Sequence, residues 1–158
     1  MSDELNEYAQ SVDARFALLL ETISGMTAEQ LNRRPPVEGA NSAWVLAVHV
    51  AGNARAWIRG IAAGEELSRD RPAEFASGGD DASRLIVEIE REREQVMAAL
   101  TGISRERLEA RVWPSKELWG ENEPREISVR RAILQVIEHA SLHIGHIELT
   151  RDWLRSAG

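Results

Sequence analysis

Apolar residues recur at spacings of three and four over four long stretches of the chain, separated by polar and turn-forming residues. In the first stretch, residues 3 to 24, Leu5, Tyr8, Val12, Phe16, Leu19, Leu20 and Ile23 share one face. This predicts an amphipathic helix, closed by Gly25 as a left-handed cap. Thr27 followed by "AEQL" suits one capped turn, after which Pro35 and Pro36 remove two amide donors and end the helical pattern. Asn41 or Ser42 then caps "SAWVLAVHVAGNARAWIRGIAAG", a helix of about 20 residues that is apolar on nearly every side apart from Asn53, Arg55 and Arg59. A helix so apolar belongs in the middle of a bundle.

Residues 64 to 80 carry Pro72 and the pair Gly78 and Gly79 and read as a long surface connection. Asp81 or Ser83 begins a third helix, in which Leu85, Ile89, Val96 and Leu100 form a narrow stripe beside a heavily charged face, with Gly102 as a stop. Residues 103 to 127 are irregular, with a short helix expected at "SRERLEA". The indoles of Trp113 and Trp119 that follow are expected to fold back over the core and roof a cleft. Ser128 caps the last helix, which runs to about residue 156. Four long helices and no credible strand predict an all-α protein, an antiparallel four-helix bundle formed as one domain over residues 1–158.

Charge narrows the partners. With 19 Lys plus Arg against 26 Asp plus Glu, the net charge of -7 argues against a nucleic-acid binder or a basic membrane-surface protein. No apolar run approaches the roughly 20 residues of a membrane span, and "MSDELNEYAQ" opens with acids where a signal peptide carries bases. A cytoplasmic location is the expectation. Cysteine is absent, which excludes disulfides, thiolate ligands and a cysteine nucleophile, so any thiol chemistry needs a thiol brought in from outside. Trp44, Trp57 and Trp153 are expected as core or dimer-interface anchors, and Arg130, Arg131 and the "EREREQ" run as solvated helix faces with i, i+4 pairing.

The candidate chemistry lies in "VIEHASLHIGHIELTRDWL", which holds three of the four histidines. At roughly 100° per residue, His139, His143 and His146 fall within about 60° of one another, at the border of the apolar face. His139 and His143 have the i, i+4 spacing that lets two imidazoles converge on one ion. The fourth, His49, sits mid-way along the most apolar helix, where an unpaired imidazole is costly and desolvation holds it neutral, the metal-binding form. If the second and fourth helices are neighbours, His49, His139 and His143 make a three-nitrogen site with open coordination positions. Asn53, one turn beyond His49, is placed to orient a ligand or bound water. Glu138 and Glu148 point about 100° and 180° away from His139, so the sequence offers no general base.

Two blocks carry a family resemblance: "LNRRPPVEGANSAWVLAVHVAGNARAWI" and "ISVRRAILQVIEHASLHIGHIELTRDWL", the second with His-x-x-x-His and a Gly two positions on. In these the chain resembles the DinB-like (DinB/YfiT) family of metal-binding four-helix proteins. The resemblance implies a metal triad at His49, His139 and His143. His146 stands where many relatives have Gln, and is read as a residue beside the ligands or in the cleft. Family habit further implies a homodimer binding zinc, nickel or a similar divalent ion, and a metal-dependent transferase acting with a low-molecular-weight thiol cosubstrate such as bacillithiol, mycothiol or glutathione on a small-molecule substrate. Two other readings stay open: a metal-hydroxide hydrolase, and a stress-response protein that binds metal without turnover. An open coordination position facing a cleft, for which Trp113 and Trp119 are candidate linings, separates the catalytic readings from a closed structural site.

Overall fold

The computed structural model describes residues 3–156. Helix α1 spans Asp3–Ser24 and buries Leu5, Val12, Phe16, Leu19, Leu20 and Ile23, as its periodicity predicts. The short α2, Ala28–Asn32, is fixed by a reciprocal capping box in which Thr27 and Gln30 each satisfy the other's backbone amide. Ser42, not Asn41, caps α3 (Ala43–Ala54) by accepting from the Val45 amide. Asp81, not Ser83, caps α5 (Ala82–Gly102).

Beyond Ala54 the second long helix changes winding and continues over Arg55–Ala63 as a π-helix, with i to i+5 pairing in place of i to i+4. Periodicity read this stretch as ordinary α-helix. Its last turn is closed by Gly64 at φ 84°, a left-handed conformation that favours glycine, and by the Arg107 guanidinium, which donates to the carbonyls of Ala62 and Ile61. Gly25 and Gly102 do not play the stop roles expected of them: Gly25 has no positive φ, and α5 runs through Gly102 to a cap at Ile103.

The connection after Gly64 is not a plain surface loop. It contains α4, Arg71–Phe75, started by an Asp70 cap and by Pro72 in its first turn, where a missing amide costs nothing. Asn32 pins the end of this connection by donating to the Gly79 carbonyl and accepting from its amide. Gly79 in turn lies close against Trp44, where a Cβ would come 2.7 Å from the indole. After α5 come α6 (Arg105–Glu109), a strand β1 (Arg111–Val112), α7 (Lys116–Trp119) and a strand β2 (Ile127–Ser128). The two strands pair antiparallel, Arg111 with Ser128 and Val112 with Ile127, and lead directly into α8, Val129–Ser156. No strand was expected from sequence, since two residues are too few to show a period.

Packing joins α1 to α5 and α8, α3 to α8, and the π segment to both α5 and α8, which makes a four-helix bundle around one connected apolar cluster. Trp44 and Trp57 belong to that cluster, and Trp153 packs half-buried against it beneath the Arg33 guanidinium. The charged faces are less local than i, i+4 pairing implies. Arg130 of α8 bonds both oxygens of Glu4 in α1, Arg93 of α5 bonds both oxygens of Asp13, and Glu92 and Gln95 receive Arg59 from the π segment.

Candidate metal centre

His49 projects from the middle of α3 and is 4% exposed, while His139 and His143 project from successive turns of α8. Because α3 packs on α8, the three rings meet: the centroids of His139 and His143 are 4.4 Å apart, and those of His49 lie 4.8 Å and 5.3 Å from them. One ring nitrogen from each lies within 4.8 Å of the other two, and the Nε2 atoms of His49 and His139 are 3.0 Å apart. His146 stays outside this group. It is exposed, with its ring 5.6 Å from that of His143 and its carbonyl accepting from Thr150 within the helix.

Sequence reasoning missed Glu74. Its carboxylate, on α4, accepts from His49 Nδ1 at 2.7 Å and receives a two-pronged bond from Arg69 at 2.8 Å and 2.9 Å, with Glu74 and Arg69 both largely buried. A carboxylate on Nδ1 places the proton there and leaves the His49 Nε2 lone pair facing His139, the tautomer a metal ligand needs. The approach depends on Gly52, one turn after His49, since a Cβ there would fall 2.3 Å from Glu74 Oε1. Phe75 completes the buttress, its ring 4.6 Å from that of His49 and covered on its far side by Arg71. The signal was present as a helix start, "DRPAEF", an Asp cap with proline close behind. Nothing local said that this helix docks against His49.

Electrostatics favour uncharged rings. Burial first, then the neighbouring imidazoles and the Arg69 and Arg71 guanidinium groups, push the His139 ring down to about 3. Burial, with His49 and His146 nearby, pushes His143 down to about 4. Desolvation works against ionised Glu74, but hydrogen bonds from His49 and Arg69 outweigh it and hold the carboxyl below its usual range. The two depressed histidines have a consequence for folding. The unfolded chain binds their protons near pH 6.5 and the folded chain only near 3 to 4, so stability is lost as pH falls through that window. Metal-free protein should therefore melt at progressively lower temperature from pH 7.5 to 4.5 in thermal scans at constant ionic strength. A flat profile would contradict the neutral, buried rings.

Two of the three histidines, His49 and His139, open onto a cleft of about 290 Å3 whose wall includes Asn53, Trp57, Trp119 and Gln135. Trp57 and Trp119 pack at a tilt of 39° with centroids 5.0 Å apart, and Trp119 and Asn53 both lie in the cleft wall. Trp113 is a correction: it follows directly after β1, is 71% exposed and is absent from the cleft wall. Several polar atoms here are buried without a partner, among them His139 Nδ1, His143 Nδ1, Asn53 Oδ1 and Trp57 Nε1. Three converging imidazoles and orphaned polar atoms beside a cleft suit a divalent cation with room for another ligand. Arg131, expected on a solvated face, lines the same cleft while paired with Glu138.

A family model described as mycothiol-S-transferase matches residues 8–156. No curated protein matches the chain. Among solved structures, YfiT from Bacillus subtilis, described as a probable metal-dependent hydrolase with an unusual four-helix bundle topology, is similar at 18% identity and a TM-score of 0.71, over 98% of this chain and 90% of that one. A DinB-like protein, YjoA, also from Bacillus subtilis, aligns at 16% identity and a TM-score of 0.69, over 94% and 91% of the two chains. A mutant of mycothiol-dependent maleylpyruvate isomerase aligns at 17% identity and a TM-score of 0.68, over 89% of this chain and 59% of that one. At these identities the structural likeness bears on the fold.

Proposed function

Since the chain belongs to the mycothiol S-transferase family, within the DinB/YfiT-like four-helix proteins, we propose that it is a metal-dependent transferase that joins a low-molecular-weight thiol to a small electrophile. The observation that carries this reading is the meeting of His49, His139 and His143 beside an open cleft in a chain without cysteine. These three side chains would hold a zinc or nickel ion. When bound, such an ion supplies positive charge that lowers the pKa of a thiol or water and presents it as a nucleophile near neutral pH.

The rest of the work falls to the chain's own residues. Glu74, anchored by Arg69, holds the His49 proton at Nδ1 and fixes the ring's orientation, while Phe75 and Arg71 keep water from its flank. Trp57 and Trp119 wall the space in which an electrophile would sit. In the transfer the thiol proton passes to solvent, a sulfur–carbon bond forms, and the electrophile's leaving group departs with the bonding pair.

The decisive measurement is the absorbance of cobalt-substituted protein titrated with a panel of thiols, mycothiol first. A charge-transfer band from thiolate coordination, together with metal-dependent consumption of thiol and electrophile, supports the transferase reading. If water and carboxylates reach the cobalt and no thiol does, the metal-hydroxide hydrolase takes its place, the activity suggested for YfiT.

We further propose that the protein is a homodimer. Leu142 and Leu149 stand exposed on the outer face of α8, flanking Gly145, around which nothing packs. A stripe of this kind on an acidic chain suits a second copy. Light scattering at micromolar concentration should return twice the chain mass of 17.6 kDa, and Leu142→Glu with Leu149→Glu should return the monomer. A monomeric wild type would reject this.

A further inference from the structure

The protein carries a net charge of -7, yet the cleft beside the triad is lined by four arginines, Arg69, Arg71, Arg125 and Arg131, and a single carboxylate, Glu121. Not all four are available. Arg69 is neutralised by Glu74 and Arg131 by Glu138, both from outside the cleft, and Arg71 makes one bond to exposed Glu121. Arg125 has no acidic partner among the described residues. In the same lining lies Trp57, 6% exposed, whose indole N–H is a donor with nothing to donate to, beside two unpartnered acceptors, Asn53 Oδ1 and Gln135 Oε1.

A free guanidinium, a second held by a single exposed acid and an unpaired buried N–H form a receptor for a carboxylate. We propose that this cleft is an anion subsite and that the electrophile entering it is a small carboxylic acid, its carboxylate held by Arg125 and Arg71 and its reactive carbon directed toward the triad. The assignment rests on the transferase reading for the word electrophile, but the subsite itself stands on the arginines and the orphaned Trp57 N–H. The volume of about 290 Å3, at the bottom of the roughly 300–1,000 Å3 range of small-molecule pockets, suits a compact acid better than a thiol carrying a sugar or peptide.

Binding can be read without any metal or turnover, because Trp57 and Trp119 report from the cleft wall. Metal-free protein titrated with succinate should show a saturable change in tryptophan fluorescence that neutral succinamide does not produce. Arg125 is exposed and outside the core, so Arg125→Gln should fold normally, as a thermal melt would confirm, and weaken succinate binding about tenfold or more. Trp57→Phe, which keeps an aromatic ring of smaller size and removes the donor, should also weaken it, followed through Trp119. Equal binding of succinate and succinamide, or an affinity indifferent to Arg125→Gln, would overturn the subsite.

The source of the carboxylate is settled in metal-loaded protein. KM should rise when an acidic electrophile is exchanged for its amide at fixed thiol, and should not respond to carboxylates on the thiol. A preference that follows the thiol would overturn the assignment to the electrophile. The cobalt titration stands apart from both arms: no thiolate band together with Arg125-dependent succinate binding sinks the transferase reading alone, whereas a thiolate band without succinate binding sinks the subsite alone.

Discussion

Protein carrying His143→Ala should lose most of its bound divalent metal, while His146→Ala should retain it. The two positions are one turn apart on α8 and share a residue type, so composition cannot separate them. Geometry does. The His143 ring lies 4.4 Å from His139 and 5.3 Å from His49 and offers a nitrogen to their common centre, whereas His146 is exposed and near His143 alone. Losing an outer residue that merely orients a ligand costs about 10- to 100-fold in metal affinity, so loss of a ligand itself should cost at least as much. Competition with a chelator, on protein purified without a histidine tag, measures this directly. Wild-type protein should also gain thermal stability on metal addition, by mass action on the folded state, and His143→Ala should gain little. Equal metal loss from both variants would bring His146 into the ligand set.

The second large effect should come from Glu74→Gln. The substitution keeps the shape of the side chain, but leaves the Arg69 guanidinium, 5% exposed, without a countercharge and His49 Nδ1 with a weaker acceptor. Removing one partner of a buried ion pair costs about 3–5 kcal/mol, because the other charge stays desolvated. Metal affinity should fall as well, in the 10- to 100-fold range of a lost orienting partner. Arg69→Gln combined with Glu74→Gln should recover part of the stability and none of the metal affinity, since the pair is then absent as a whole while His49 is still unsupported. Denaturant melts and chelator competition on the three variants resolve the two roles. If Glu74→Gln matches wild type in both, the carboxylate does not support the site.

How far the sequence carried these conclusions differs from residue to residue. The amphipathic stripes of α1, α5 and α8, the capping box at Thr27 and the cap at Ser128 are local patterns, and each was legible because the forces behind it act within one or two turns. The convergence of His49 with His139 and His143 needed one further step, the adjacency of α3 and α8, which family resemblance made available. Glu74 stayed hidden because its place depends on contacts far apart in sequence: a glycine on α3, an arginine before α4, and a loop pinned by Asn32. Trp113 and Trp119 look alike in sequence, yet only Trp119 meets a partner ring, that of Trp57 on the distant second long helix, while Trp113 is exposed.

The π segment at Arg55–Ala63 divides the second long helix into two parts with separate phases. His49, Gly52 and Asn53 belong to the α-helical part, whose register against α8 brings the histidines together. Trp57, against Trp119, and Gly60, into which Leu118 presses so closely that a Cβ would sit 2.8 Å from its Cδ1, belong to the wider part. Relative to an α-helix, a π turn holds one residue more. The wider winding absorbs that residue, so deleting one residue here and rewinding the stretch as α would leave both the histidines and the residues beyond near their present faces. The wider winding is thus a way for such a chain to carry one residue more beside its cleft, and so change the lining there, without moving the three histidines.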